Sequence, residues 1–343
     1  MAAASLLEEA SVQGRRVLVV GGAGYIGSHC ALLLQEAGAE ITVYDDLSTG
    51  YAEAVTGRLV RGDVRDRARL ETVLQEGRFD AVMHFAARLL VGESVAHPLA
   101  YFDTNVAGTC ALLSAMAAAD VRTLVFSSSC AIYGEPRTLP LDEAHPFAPV
   151  SPYGLTKLMV EQVLDACRER EGFRIASLRY FNAAGAHPGG RLGEAHDPET
   201  HLVPLALEAA AGWRRIRLFG RDYPTPDGTC IRDYVHVWDL AEAHRLALEA
   251  LWAGQAGRAW NVGTGTGSSV LEVIAAVERV TGRSVQRDDA PRRPGDPPAL
   301  YAKADAIRQD LGWIPRHPDL EVTVEHAWRW LQAPRYGRYP RRP

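Results

Sequence analysis

The sequence has few cysteines, and their spacing matches neither a redox pair nor a set of metal ligands. Its five cysteines, at positions 30, 110, 130, 167 and 230, form no C-x-x-C pair. An odd number of widely spread cysteines is typical of a reducing compartment, so we predict a cytoplasmic protein with buried thiols. Histidine, cysteine and aspartate show no cluster with the spacing of metal ligands, and we therefore expect no metal site.

Large charge and long apolar runs are also missing. A net charge of −5 over 343 residues disfavours non-specific nucleic-acid binding. The longest apolar runs are too short to cross a bilayer, so no membrane partner is expected. Residues Met1 to Arg15 lack a basic start and a long apolar segment, and we interpret them as a short, frayed extension instead of a signal peptide.

A glycine-rich turn lies between two predicted strands near the N-terminus. The apolar run 16–20 reads as a buried strand, and Gly21, Gly24 and Gly27 follow it at the start of a predicted helix. The next strand ends at Asp45. Glycine permits the tight turn, the approach of a pyrophosphate and close packing of the helix, while the acid can bind an adenosine ribose and repel a 2′-phosphate. This context predicts an NAD site, with NAD favoured over NADP.

Strand and helix patterns then alternate through the first half of the chain. Further strands are predicted at 59–63, 81–86, 123–126 and 174–179, and helices at 66–75, 98–119 and 152–171. The fold class is therefore α/β, with a doubly wound parallel sheet whose ligands bind at the carboxyl ends of the strands. Such strand ends are the positions of Asp63, Phe85, Ala86, Ala87 and Ser129.

The second half has shorter elements. After a loop at 181–200 rich in glycine and proline, we predict helices near 202–211, 238–251, 268–281 and 319–332 and a strand at 216–219. We divide the chain into a Rossmann NAD-binding domain, 1–180, and a smaller C-terminal α/β substrate domain, 181–343, partly interleaved with the first.

Tyr153 and Lys157 are the strongest catalytic candidates. Four residues apart on a predicted helix, they lie on one face. A neighbouring ammonium lowers the pKa of a phenol, so the pair could accept a proton from an alcohol. A Tyr-x-x-x-Lys spacing is also common on solvated helices, and it gains weight here from the glycine turn and the serines ending at Ser129.

These motifs together resemble the extended short-chain dehydrogenase/reductase family. Within it, four further segments are similar to the epimerases of nucleotide sugars: Val91-Gly92-Glu93-Ser94, Arg179-Tyr180-Phe181-Asn182, Asp227-Gly228-Thr229 and Arg232-Asp233-Tyr234-Val235-His236. The resemblance extends from about Val17 to Trp330. It implies an enzyme that uses NAD to invert C4 of UDP-hexoses, UDP-glucose and UDP-galactose above all, through a transient 4-keto sugar.

The resemblance also implies roles for individual residues. The catalytic set is Ser129, Tyr153 and Lys157. The residues implied to contact NAD are Gly21, Gly24, Tyr25, Ile26, Gly27, Asp45, Asp63, Val64, Phe85, Ala86, Ala87, Ser129, Tyr153, Lys157 and Phe181. Those implied to contact the UDP-sugar are Ser129, Tyr153, Asn182, His201, Leu202, Phe219, Arg232, Arg293, Asp296 and Leu300. The chain departs from many members at Val20, at Leu89 and at His201.

The residues bear differently on three alternative functions. A dehydratase needs an acid pair after the serine, where this chain has Cys130 and Ala131. An epimerase of a UDP-pentose or UDP-uronate stays open. A non-catalytic NAD-binding regulator is disfavoured because Tyr153 and Lys157 are both present.

A homodimer joined by paired helices is also predicted. The helices 98–119 and 152–171 each have a wide apolar face. We expect Leu158, Met159, Val163 and Cys167 to face the sheet, which leaves Val160 and Leu164 for a partner.

Overall fold

A parallel sheet of seven strands forms the centre of the molecule. The computed structural model describes residues 10–293 and 295–337. The strands are β1 (Arg16–Val20), β2 (Glu40–Asp45), β3 (Arg58–Arg61), β4 (Ala81–His84), β5 (Thr123–Ser127), β6 (Arg174–Tyr180) and β7 (Ala259–Val262). Their order across the sheet is β7-β6-β5-β4-β1-β2-β3, and every neighbouring pair is parallel. The order reverses between β1 and β4, which is where ligands bind in doubly wound sheets. The predicted fold class is confirmed.

Helices cover both faces of this sheet and build the second half of the chain. They are α1 (Tyr25–Glu36), α2 (Arg67–Gly77), α3 (Val91–Ala96), α4 (Pro98–Tyr101), α5 (Gly108–Ala118), α6 (Pro152–Arg170), α7 (Leu202–Ala210), α8 (Val237–Trp252), α9 (Val270–Thr281), α10 (Asp305–Leu311) and α11 (Leu320–Gln332). Local signals set their ends. Ser269 and Glu272 form a capping box at the start of α9, and Gly282, at φ +66°, ends it.

The predicted helix 98–119 is continuous but not uniform. Residues Phe102–Ala107 form a π-helical turn between α4 and α5. Asn105 lies in this turn, where its amide accepts from Arg88 N at 2.8 Å and donates to Thr156 Oγ1 at 3.0 Å. The irregular turn therefore fastens the loop after β4 to the helix that carries Tyr153. π-turns often occur next to functional sites, and here the buried amide is the feature that the turn positions.

Short strands organise the second half. Asn182–Ala184 pairs with Tyr234–His236, and Ile216–Phe219 pairs with Arg287–Ala290. A small sheet joins Ile231–Arg232 to Ser268–Ser269 and Ala299–Leu300. Two elements of the second half belong to the central sheet: α8 packs against it, and β7 pairs with β6 at its edge. The sequence patterns did not predict the strand at 259–262. The domain boundary at residue 180 stays a prediction.

Two details differ from expectation. Residues 10–15 are not frayed, because Ala10 and Val12 are buried and Val12 packs in the main core; residues 1–9 lie outside the described part of the chain. The assignment of faces on α6 was wrong for Val160 and Leu164, which are each 1% exposed and pack against the sheet. Val163 and Cys167, which were expected to face inward, do pack against the same cluster, partly buried. Within residues 10–293 and 295–337, no helix combines the length and apolarity needed to span a membrane.

Candidate active site

The glycine turn is built as the sequence predicted. Gly21 has φ +81°, and a Cβ there would lie 2.3 Å from Ala86 N. A Cβ on Gly27 would lie 2.3 Å from Gly21 O, so the first turn of α1 packs directly on the loop. Gly24 differs, because the nearest atom to its Cβ would be Gly21 O at 3.5 Å. Gly24 is also the N-cap of α1 and offers no capping side chain. The helix N-terminus at Tyr25 and Ile26 is therefore open to an anion.

Asp45 holds the same turn from the end of β2. Its carboxylate accepts from Ala23 N at 3.0 Å and from Leu47 N at 2.8 Å. Burial raises the pKa of Asp45, and these two backbone bonds oppose that shift. Each carboxylate oxygen has a second lone pair, so the group can still accept from a ribose hydroxyl. The structure thus shows that Asp45 supports the glycine turn, which the sequence did not indicate, and its contact with a ribose stays a prediction.

Asp63 lies at the next strand end and is already paired. Its carboxylate contacts Arg65 at 2.5 Å, and Arg65 also contacts Asp103 at 2.6 Å. The Arg65 bonds lower the pKa of Asp63. Val64 is buried in the core beside α5, where a Cβ on Gly108 would lie 2.7 Å from its methyl group. Arg65 already occupies part of the Asp63 carboxylate. A contact with adenosine at this position would therefore use atoms of Asp63 that Arg65 does not cover.

Phe85, Ala86 and Ala87 follow β4 and close the other side of the turn. Phe85 N and Ala86 N both donate to Val20 O, at 2.7 and 3.1 Å. The Phe85 ring packs against the His244 ring with centroids 4.9 Å apart. These contacts place the three residues between the glycine turn and the strand end that carries Ser129.

Ser129, Tyr153 and Lys157 meet at the carboxyl edge of β5. Ser151 Oγ caps α6 by accepting from Gly154 N at 3.2 Å, and Pro152 begins the helix. Tyr153 is thereby held in the first turn, with its hydroxyl facing Ser129 and within reach of a bond from the serine hydroxyl, which lowers the tyrosine pKa. Lys157 Nζ donates to Ser127 O at 2.7 Å and lies 5.9 Å from the centre of the Tyr153 ring. The predicted catalytic set is therefore one contiguous group.

Burial controls the protonation of this group. It raises the pKa of Tyr153 to about 12, against the opposing bond from Ser129. It also lowers the pKa of Lys157 to about 7, against the attraction of Glu161. The direction for Tyr153 is opposite to the one predicted from the Tyr-x-x-x-Lys spacing, because the cost of burying a phenolate exceeds the opposing effect of Ser129. A further positive charge at this edge would favour the phenolate.

The sequence missed a buried polar network behind the catalytic set. Glu161 pairs with Arg179 at 2.6 Å and accepts from the hydroxyl of Ser128. Arg179 also donates to the hydroxyl of Tyr133 at 3.0 Å, which in turn donates to Asn261 Oδ1 at 2.6 Å. The available signal was helical spacing, since Glu161 lies one turn beyond Lys157.

The residues predicted to bind a UDP-sugar form a second group. Arg232 pairs with the carboxylate of Asp296, and the guanidinium of Arg293 stacks 4.0 Å from the centre of the Phe219 ring. Leu300 lies opposite Arg232 in the small sheet. Asn182 precedes this group, with its N–H donating to Asp233 O at 2.9 Å. The structure therefore brings Arg232, Asp296, Leu300 and Asn182 together.

Leu300 connects the two groups. It packs against a cluster that includes Cys130 and Phe181, so the small sheet adjoins the strand end at Ser129. Behind it, Asp233 is fully buried and accepts from Thr264 N, Gly265 N and Ala302 N at 2.8, 3.1 and 3.1 Å. Asp233 thus fixes the strand carrying Arg232, a role that sequence reasoning did not assign.

His201 and Leu202 lie at the start of α7. The ring of His201 contacts Glu194 at 2.7 Å and Glu199 at 3.0 Å. These carboxylates hold the pKa of His201 well above its usual range, against the effect of burial. Its predicted contact with a substrate stays a prediction.

Comparisons with known proteins agree with this geometry. A model of the NAD dependent epimerase/dehydratase family matches residues 17–263. The chain is 49% identical to a UDP-glucose 4-epimerase of Halalkalibacterium halodurans over 324 residues, covering 94% of this chain and 97% of that protein.

Two crystal structures have closely similar folds. The UDP-glucose 4-epimerase from Brucella ovis in complex with NAD has a TM-score of 0.90 at 48% identity, covering 92% of this chain and 98% of that one. The UDP-glucose 4-epimerase from Stenotrophomonas maltophila, with bound NAD and formylated UDP-arabinopyranose, has a TM-score of 0.90 at 44% identity, covering 93% and 98%.

Proposed function

Because the chain belongs to the NAD dependent epimerase/dehydratase family, we propose that it interconverts UDP-glucose and UDP-galactose by NAD-dependent epimerisation at C4. The observation that carries this proposal is the juxtaposition of Ser129, Tyr153 and Lys157 with the glycine turn on one side and the Arg232 group on the other. A redox cofactor and a sugar nucleotide would then meet at the catalytic hydroxyls.

The residues of the first half fit NAD. The open N-terminus of α1 suits its pyrophosphate, and Asp45 suits an adenosine ribose without a 2′-phosphate. Phe85, Ala86 and Phe181 would line the nicotinamide end. When bound, the oxidised cofactor supplies a hydride acceptor for C4 and a positive charge beside Tyr153.

Tyr153 acts as the proton acceptor of the sugar 4-hydroxyl, directly or through Ser129. Its phenolate is disfavoured by burial, so the charge of Lys157 and the cationic environment set how readily it forms. Lys157 is held by Ser127 O and cannot swing away from this edge without losing that bond. Loose contacts to the hexose permit the 4-keto sugar to turn, so binding energy comes mainly from the UDP end.

Arg232, Arg293 and Asn182 would hold the diphosphate, where arginine's planar fork suits phosphate oxygens. Arg232 and Asp296 are paired in the structure, so a UDP-sugar would exchange part of this ion pair for its own contacts. Phe219 and Asp296 would meet the uridine.

A related activity has specific support. The Stenotrophomonas maltophila enzyme was crystallised with a formylated UDP-arabinopyranose, so a pentose derivative fits a site of this kind. Epimerisation of a UDP-pentose at the same residues is therefore our second candidate.

We also propose a cytoplasmic homodimer. All five cysteines are free thiols, which agrees with a reducing compartment. The prediction that they are buried was wrong for Cys110, which is exposed, and for Cys167, which is half-buried. Large apolar side chains are exposed beside and on α6: Val95 is 65% exposed, Leu99 81% and Leu155 39%. A monomeric mass by light scattering would contradict the dimer.

The test of the main proposal is to incubate the protein with UDP-galactose and measure UDP-glucose. We expect conversion without added reductant, and a fall in kcat of roughly 10²-fold or more in Tyr153→Phe, which removes only the hydroxyl. Equal rates in the folded variant, or no conversion by the wild type, would sink the proposal.

A further inference from the structure

Four side chains that could bind a metal converge in the loop before α7. Only His201 among them is also predicted to contact the UDP-sugar. Glu194, His196, Glu199 and His201 follow the pattern E-x-H-x-x-E-x-H. Their ligand atoms all lie within 4.8 Å of one another. The two carboxylate side chains are only 6% and 7% exposed.

Both imidazoles point the same ring atom at this centre. His196 Nδ1 lies 3.0 Å from Glu194 and 3.8 Å from Glu199. His201 Nδ1 lies 2.7 Å from Glu194 and 3.0 Å from Glu199. Four ligands about 2.1 Å from a metal stand about 3.4 Å apart in a tetrahedron, and the observed separations fall on both sides of that value.

The charges of the cluster suit a cation. Two buried carboxylates that face one point repel each other and lose hydration, so they need a positive charge between them, and His201 supplies it by hydrogen bonding to both when no metal is bound. A divalent cation that displaces this proton would bind both carboxylates and both imidazoles at once. Glu199 is held ready for this, because its Oε1 also accepts from Thr200 N at 2.7 Å and from His201 N at 2.8 Å.

A second cluster of possible metal ligands has its nitrogen atoms engaged in hydrogen bonds. His236, Asp239 and His317 also lie close together. However, His236 Nδ1 accepts from Trp238 N at 3.1 Å and its Nε2 contacts His326 at 3.0 Å, so both nitrogens are used. That cluster is a hydrogen-bonded chain and provides a natural comparison.

We propose that Glu194, His196, Glu199 and His201 bind one Zn²⁺ ion per chain. Two imidazoles with two carboxylates favour zinc over magnesium or calcium, which prefer oxygen ligands alone. The site is structural. The ion would connect the loop to His201, the residue that precedes α7. The His196 ring also packs edge-on against the Tyr25 ring at the start of α1, with centroids 6.0 Å apart. This revises our expectation from cysteine, histidine and aspartate spacing that the chain has no metal site.

The experiment is a calorimetric titration of the full-length, untagged protein with ZnCl2 after dialysis against a chelator, and with MgCl2 in parallel. We expect one equivalent of Zn²⁺ to bind and Tm to rise, and no comparable effect of Mg²⁺. Glu199→Gln and His196→Gln should each weaken Zn²⁺ binding at least about tenfold, since even residues outside the ligand shell can matter that much. His187→Gln, in the same loop, and His317→Gln, in the second cluster, should bind Zn²⁺ as the wild type does.

Substitution with Co²⁺ gives an independent readout, because a tetrahedral site produces strong visible absorption. If His196→Gln fails to fold, Glu199→Gln, which keeps the side-chain shape, decides the matter. The proposal is overturned if Zn²⁺ does not bind stoichiometrically, if both variants bind it as tightly as the wild type, or if only His317→Gln loses it.

Discussion

The carboxylate of Glu161 and the guanidinium of Arg179 form an ion pair of 2.6 Å in which each side chain is 7% exposed. Glu161 lies on α6 one turn beyond Lys157, and it raises the pKa of that lysine against the larger effect of burial. It also accepts from Ser128, the neighbour of Ser129. The ion pair therefore both contacts the strand end beside Ser129 and affects the pKa of Lys157.

Breaking this pair should be costly. Glu161→Gln leaves Arg179 buried without a counter-charge, and we expect a loss of about 3–5 kcal/mol in the free energy of unfolding. Urea denaturation measures the change. The double variant Glu161→Gln with Arg179→Met removes the orphaned charge, so it should recover part of that loss. If the single variant is as stable as the wild type, the pair is not a structural support of the site.

Asp45 should decide the choice of cofactor. We expect NAD, not NADP, to be released when the purified protein is denatured. Asp45→Asn keeps the size but loses the charge and an acceptor for Ala23 N or Leu47 N, so NAD should bind roughly ten- to hundredfold more weakly. Asp46→Asn, at the exposed neighbouring position, is the matched control and should retain NAD. Finding mainly NADP would contradict the assignment.

A buried histidine predicts acid sensitivity. Burial lowers the pKa of His244 to about 4, against a bond to Leu240 O at 2.8 Å. The unfolded chain binds a proton at this residue below about pH 6.5, while the folded chain does not until about pH 4. Stability is therefore lost as pH falls through this window, by up to about 1.4 kcal/mol per pH unit from this group.

The measurement is urea unfolding of wild type and His244→Gln at about pH 7 and about pH 5. The variant should lose less stability on acidification than the wild type. His97→Gln, at an exposed position, should follow the wild-type curve. Parallel pH dependence in His244→Gln and wild type would refute the explanation.

Leu300 should set tolerance at C2 of the sugar. The family resemblance implies that this position lies beside the C2 substituent, and the structure packs Leu300 near Cys130 and Phe181. With a tyrosine at this position, forcing an acetamido group into the filled pocket would cost about 1–3 kcal/mol. Leucine is smaller than tyrosine and avoids part of that cost. We expect measurable epimerisation of UDP-N-acetylglucosamine by the wild type.

In Leu300→Tyr, kcat/KM for the N-acetylated sugar should fall roughly ten- to hundredfold relative to UDP-glucose. Leu300→Met, which conserves volume, should keep the wild-type ratio. The idea fails if the wild type does not act on the N-acetylated sugar or if the tyrosine variant discriminates no better.

Much of this protein was determined by sequence patterns that act locally. Buried apolar runs and helical periodicity indicated the order of the elements in the first half. Glycine at positions 21 and 27 specified the turn because a Cβ at either position would clash. Helical spacing alone placed Tyr153 and Lys157 on one face. These features depend on neighbours within a few residues, so a sequence can show them.

Only the tertiary structure decided the rest, because it depends on contacts between distant residues. Which face of α6 is buried, with Val160 and Leu164 inward, follows from the sheet it meets and not from its own pattern. The high pKa of Tyr153 comes from the surroundings that exclude water, and the pairing of Arg232 with Asp296 joins residues 64 positions apart. Likewise β7 reveals its place only by pairing with β6, since a four-residue strand carries too little periodicity to assign by itself.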